Sequence, residues 1–89
     1  MTKDEVRSKL RQILIEDFRI PEAKIADEAT FRGTFGMDSL DAVDFVYLVS
    51  KTYGLKTQVS EFRELHSFGL VVDLIARRLA ESAPPADDA

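Results

Sequence analysis

The chain has 89 residues, 45% of them hydrophobic, and a formal net charge of −4. That length suits one small domain with a modest single core, and the acidic balance argues against nucleic acid as a partner. With no cysteine and one histidine, His66, disulfides and cysteine-ligated metals are excluded, and a multi-histidine metal site or a Ser-His triad is disfavoured. No apolar run approaches the ~20 residues that span a bilayer, and no signal peptide opens the chain, so a cytoplasmic monomer is expected.

A first helix is predicted from about Lys3 to Phe18. Thr2 and Glu5 form a T-x-x-E capping box at its start. Val6, Leu10, Ile13, Leu14 and Phe18 recur at helical spacing and make one apolar stripe. Lys3, Arg7, Lys9 and Arg11 alternate with Asp4, Glu5, Glu16 and Asp17 on the remaining surface, which reads as a solvated face.

Arg19 to Phe35 reads as a long loop. Pro21 stops or redirects the chain and is expected at the first position of a short helical turn, Pro21 to Lys24. Ile20, Ile25 and Phe31 are candidate anchors onto the core. A loop of this length calls for a functional reason.

Gly36-Met37-Asp38-Ser39-Leu40-Asp41 joins that loop to a strongly apolar helix, predicted from Ser39 to about Tyr53 with Gly54 as its stop. Gly36 permits a sharp turn into the helix. Asp38 is a suitable N-cap, supported by Asp41 three residues on. Ser39 then sits in the first turn, where free amides and the positive end of the helix dipole favour a phosphate. At ~100° per residue, Ala42, Phe45, Val46, Val49 and Tyr53 share one side. Leu40, Val43, Asp44, Tyr47 and Lys51 share the other, an apolar strip with charge at its edges, as a docking surface has. Outside the tail this is the most acidic segment, with three carboxylates against one lysine over residues 38–54.

Leu55 to Gln58 reads as a connector. Ser60 is expected to cap a short helix through about Leu65, with Val59, Phe62 and Leu65 turned inward. His66 reads as a local hydrogen-bonding group. Ser67 is expected to cap a last helix through about Glu81, whose buried stripe is Phe68, Val71, Val72, Ile75 and Leu79. Gly69 weakens helix propensity near its start, and Arg77 and Arg78 complement the dipole at its end. The bundle is assigned to residues 1–81. Residues 82–89, with Pro84-Pro85 and Asp87-Asp88, are expected to be disordered.

The Phe35–Tyr53 stretch, with its Asp38-Ser39-Leu40 run, resembles the acyl carrier protein family. The order of elements around it resembles that family across most of the chain: an amphipathic helix, a long loop, the motif helix, a short third helix and a last helix. The resemblance implies an all-α four-helix bundle and a carrier rather than an enzyme. It implies a 4′-phosphopantetheine arm on Ser39, added from coenzyme A by a phosphopantetheinyl transferase whose magnesium Asp38 helps to hold. Acyl groups would ride on the arm's thiol to enzymes of fatty-acid, polyketide or specialised lipid synthesis. Those enzymes would dock on Leu40, Asp41, Val43, Asp44 and Tyr47. Phe45, Val46, Val49, Tyr53, Phe62, Ile75 and Leu79 are candidates to line a shelter for cargo, or else form plain core.

Two departures from the family pattern stand out. Ser50, Lys51 and Thr52 replace the acidic residues usual late in the second helix, and Arg32-Gly33-Thr34 replaces an acidic or apolar stretch. The start at Met1 without a flanking domain suggests a stand-alone protein. An aminoacyl carrier of the D-alanyl or peptidyl type stays open, as does an unmodified helical interaction domain in which Ser39 is only a cap.

Overall fold

In a computed structural model that describes residues 2–82, the apolar stripes read from the sequence meet in one all-helical bundle. Its elements are α1 (Lys3–Phe18), a 3-10 turn (Glu22–Lys24), α2 (Ser39–Tyr53), α3 (Val59–Glu64) and α4 (Phe68–Ser82). Helix α1 packs against α4 and α2, and α2 also packs against α3. Disorder was expected for residues 82–89; Ser82 instead closes α4, and residues 83–89 lie outside the described residues.

The first helix starts on the expected capping box. Glu5 N donates to Thr2 Oγ1 at 3.2 Å, and Thr2 N donates back to Glu5 Oε1 at 2.9 Å. That second bond stabilises the ionised carboxylate, so Glu5 titrates below its usual range. Val6, Leu10, Ile13 and Leu14 are buried, as their spacing requires. The helix ends at Arg19, whose left-handed backbone (φ 57°) lets its amide and that of Ile20 reach Leu14 O.

Two local expectations are corrected. Pro21 is the N-cap of the 3-10 turn rather than its first helical residue. Helix α3 begins at Val59 behind Gln58, which supplies no side-chain cap, so Ser60 lies inside the helix. Burial of Phe62 and partial burial of Val59 place this short helix, and packing outweighs the local capping preference. Ser67 does cap α4, with Leu70 N donating to its Oγ at 3.4 Å.

The loop before α2 is stitched to the start of α4. Phe31 N donates to His66 O (3.3 Å), Phe68 N to Ala29 O (2.8 Å) and Gly69 N to Asp27 O (2.8 Å). Thr30 and Ser67 form an isolated antiparallel bridge. Gly69 is required for this approach, because a Cβ there would stand 2.9 Å from Asp27 Cβ and 3.1 Å from Asp27 O. Arg7 of α1 clamps the same loop, donating from Nε and from one terminal nitrogen to the two carboxylate oxygens of Asp27. The pairing holds the guanidinium protonated more firmly than usual.

Phe45 is the hub of the core. Its ring meets Phe18 of α1 at 5.9 Å, Phe31 of the loop at 5.2 Å and Phe62 of α3 at 5.8 Å. Phe31 in turn meets Phe35 edge-on at 5.4 Å. Such tilted and edge contacts add to the burial of the rings themselves.

Candidate functional site

The site begins with a turn that aims the chain into α2. Thr30 Oγ1 accepts from the amides of Gly33 and Thr34, each at 3.1 Å. Gly36 N reaches Arg32 O, and Met37 N reaches Phe31 O. Gly36 turns the backbone at φ 67°, a conformation that costs a side chain with Cβ. Phe35 and Met37, either side of it, are buried. The two residues that follow are thus presented from an anchored base.

Asp38 caps α2. Its Oδ1 accepts from Asp41 N at 2.9 Å, and Asp41 Oδ2 accepts from Asp38 N at 3.2 Å. Ala42 N takes Asp38 O as the first helical bond. Ser39 is the first residue of the helix and is exposed. The amides of Ser39 and Leu40 precede Ala42 N, the first helical donor, and stand free at the positive end of the helix. Among the described residues the Ser39 hydroxyl makes no hydrogen bond. An anion bonded to that oxygen would lie against the helix N-terminus, so the local chemistry fits a phosphodiester.

The two faces of α2 fall where the helical period puts them. Phe45, Val46 and Val49 are buried, with Tyr53 partly so. On the outer side Leu40 is 76% exposed, Tyr47 63% and Val43 50%, and Asp44 is exposed beside them. Three large apolar side chains therefore stand in solvent next to Ser39, flanked by Asp41 and Asp44. Tyr53 anchors the far end of the helix, its hydroxyl donating to Val6 O at 3.2 Å. Burial pushes its pKa up to about 12.

On the other side of Ser39 lies an open cleft of roughly 690 Å³ between the 30–33 turn, the start of α2 and α3. Its lining combines apolar side chains with Arg32, Asp38, Arg63 and His66. Of the shelter candidates named from sequence, Phe62 reaches this cleft. Phe45, Val46, Val49 and Ile75 are buried in the core, with Tyr53 and Leu79 packed against it. The joint lining by Arg32, Arg63 and His66 was missed in the sequence because the three are far apart in the chain. The one local hint was Arg32-Gly33-Thr34 as an unexpected basic turn.

The fold is a small all-helical bundle that displays an exposed serine at the head of a capped helix. Residues 8–75 match the family described as Phosphopantetheine attachment site, and the chain belongs to that family. Its named relatives are acyl carrier proteins. The acyl carrier protein of Saccharopolyspora erythraea is 32% identical over 93 residues, covering 100% of this chain and 98% of the relative. The acyl carrier protein of Thermotoga maritima is 28% identical over 78 residues, covering 88% and 96%. Acyl carrier protein 2 of Ralstonia nicotianae is 30% identical over 80 residues, covering 90% and 99%. The family is one of carriers rather than catalysts, and its cofactor is phosphopantetheine. No helix among the described residues is long and apolar enough to cross a membrane.

Proposed function

We propose that Ser39 carries the phosphopantetheine and that this chain holds acyl intermediates for enzymes of fatty-acid, polyketide or specialised lipid synthesis. The observation that carries this reading is the exposed Ser39 hydroxyl at the head of α2, capped by Asp38 and mounted on a buried turn. On loading, the Ser39 oxygen bonds to the coenzyme A phosphorus that bears pantetheine. The bond from that phosphorus to adenosine 3′,5′-bisphosphate breaks, and the hydroxyl proton passes to a base on the transferase. The arm supplies the thiol that this cysteine-free chain lacks.

Each neighbouring residue has a separate role in this reading. The free first-turn amides offset the charge of the phosphodiester. Asp38 spends one oxygen on the cap, and its other oxygen makes no hydrogen bond among the described residues, so it can meet the transferase's magnesium. Leu40, Val43 and Tyr47 give partner enzymes an apolar contact, and Asp41 and Asp44 orient basic side chains around it. The later turns carry Ser50, Lys51 and Thr52, so docking concentrates on the first half of the helix.

The test is incubation with a phosphopantetheinyl transferase, magnesium and coenzyme A. A mass gain of one phosphopantetheine, lost in Ser39→Ala, supports the reading. No gain, or a gain that survives the substitution, excludes it.

A further inference from the structure

The cleft beside Ser39 has a charge opposite to that of the chain as a whole. The chain carries −4, but the ionised groups lining the cleft are two arginines, Arg32 and Arg63, and one carboxylate, Asp38, with His66 alongside. One oxygen of Asp38 is engaged by the Asp41 amide. Arg7, Arg11 and Arg78 each pair with a carboxylate. Arg32 and Arg63 are exposed and, among the described residues, have no ion-pair partner. They come from different elements, the turn before α2 and helix α3. The cleft they share is otherwise floored by Phe31, Met37, Ala42, Val59, Phe62 and Leu65.

We propose that this cleft reads the cargo: it receives an acyl group whose far end is a free carboxylate, as in a monothioester of a short dicarboxylic acid. The inference rests on Ser39 being the attachment point. The apolar floor suits the methylenes, and the guanidinium groups suit the carboxylate, which they can bind through paired N–H donors. The cleft volume of roughly 690 Å³ lies within the ~300–1,000 Å³ usual for small-molecule sites. An exposed ion pair is weak between free partners and is screened by salt. Here the anion is tethered to Ser39 at the edge of the same cleft, and a high effective concentration lets a weak contact be occupied. A neutral chain of equal length covers the floor and leaves both arginines unpaired.

The test compares three loaded forms of the isotopically labelled chain, made by transferase from coenzyme A, butyryl-coenzyme A and succinyl-coenzyme A. The two acyl groups match in length and differ by a methyl against a carboxylate. Intact mass reports loading. NMR then follows the Nε–Hε signals of Arg32 and Arg63 and the backbone amides of residues 30–33 and 62–66. The expected result is a set of shifts specific to the succinyl form, reduced by added salt and lost in Arg32→Gln/Arg63→Gln. The same shifts in the butyryl form overturn the inference, because charge is then not read. So do the same shifts on simple arm attachment, because the arginines then meet the phosphodiester. A succinyl form that loads but matches the unacylated form overturns it alone, whereas failure of all three to load removes the Ser39 reading as well.

Discussion

The Phe45 ring stands edge-on to Phe62, with centroids 5.8 Å apart and planes at 88°. This contact joins α2, which carries Ser39 at its head, to α3, which forms one wall of the cleft. Phe45→Ala removes it together with the contacts to Phe18 and Phe31. The expected loss is about 3–5 kcal/mol, a large share of the stability of a small domain. Urea unfolding of the variant measures it, and a loss below about 1 kcal/mol contradicts the hub role.

Asp38 separates into a cap and a charge. Asp38→Asn keeps an N-cap of nearly equal quality, while Asp38→Ala costs ~0.5–2 kcal/mol of stability. If the carboxylate also meets the transferase's magnesium, Asp38→Asn retains the melting temperature and still loads slowly. Thermal melts and loading rates on the same samples separate the two roles. Equal loading by the Asn variant and the wild type would assign Asp38 to capping alone.

Gly69→Ala tests the seam between the loop and α4. Alanine favours a helix by up to ~1 kcal/mol over glycine, so helix propensity alone predicts stabilisation. The new Cβ, however, meets Asp27 Cβ at 2.9 Å and Asp27 O at 3.1 Å, and overpacking of this kind costs ~1–3 kcal/mol. The expected net effect is destabilisation, with faster hydrogen exchange at the amides of Phe68 and Gly69. A more stable variant would show that the seam yields easily.

Tyr53 gives an alkaline signature. Its pKa rises from 10 to about 12 because the half-buried phenol resists ionisation. A pKa raised in the folded state contributes stability below the unfolded value and loses it as pH climbs through the folded one. The contribution is therefore present below about pH 10 and disappears toward about pH 12. Phenolate absorbance during an alkaline titration follows this. In Tyr53→Phe the late-titrating component should vanish, at a cost of no more than ~0.5–1.5 kcal/mol for the lost hydrogen bond to Val6 O.

Arg78 links the ends of the chain's second half. It lies 2.7 Å from Glu61 Oε2 and donates to Lys56 O at 3.2 Å. The sequence assigns it to the helix dipole at the end of α4, but no basic residue lies in that helix's last turn. Arg78→Ala should raise hydrogen exchange across residues 59–64 while leaving α1 protected. Unchanged exchange in α3 would mean that Phe62 alone holds that helix.

What could be read in advance was local. The limits of α1 and α2, both capping boxes and the two faces of α2 follow from spacing and end chemistry. These depend on residues within a few positions of one another. The sequence did not disclose that Phe45 touches three other segments, that Asp27 receives both Arg7 and Gly69, or that Arg32 and Arg63 line the same cleft. Each depends on contacts between residues distant in the chain, for which neither periodicity nor capping chemistry carries a signal. Helix α3 failed for a related reason. Ser60 is the better cap by type, yet the burial of Phe62 set the cap at Gln58, two residues earlier.

The seam at Thr30 and Ser67 divides the labour mechanically. The turn beneath Ser39 is fastened to α4 through backbone hydrogen bonds, whereas α3 is held through side chains, Phe62 and Val59 against the core and Glu61 against Arg78, so a substitution that loosens α3 leaves the pedestal of Ser39 its own fastening.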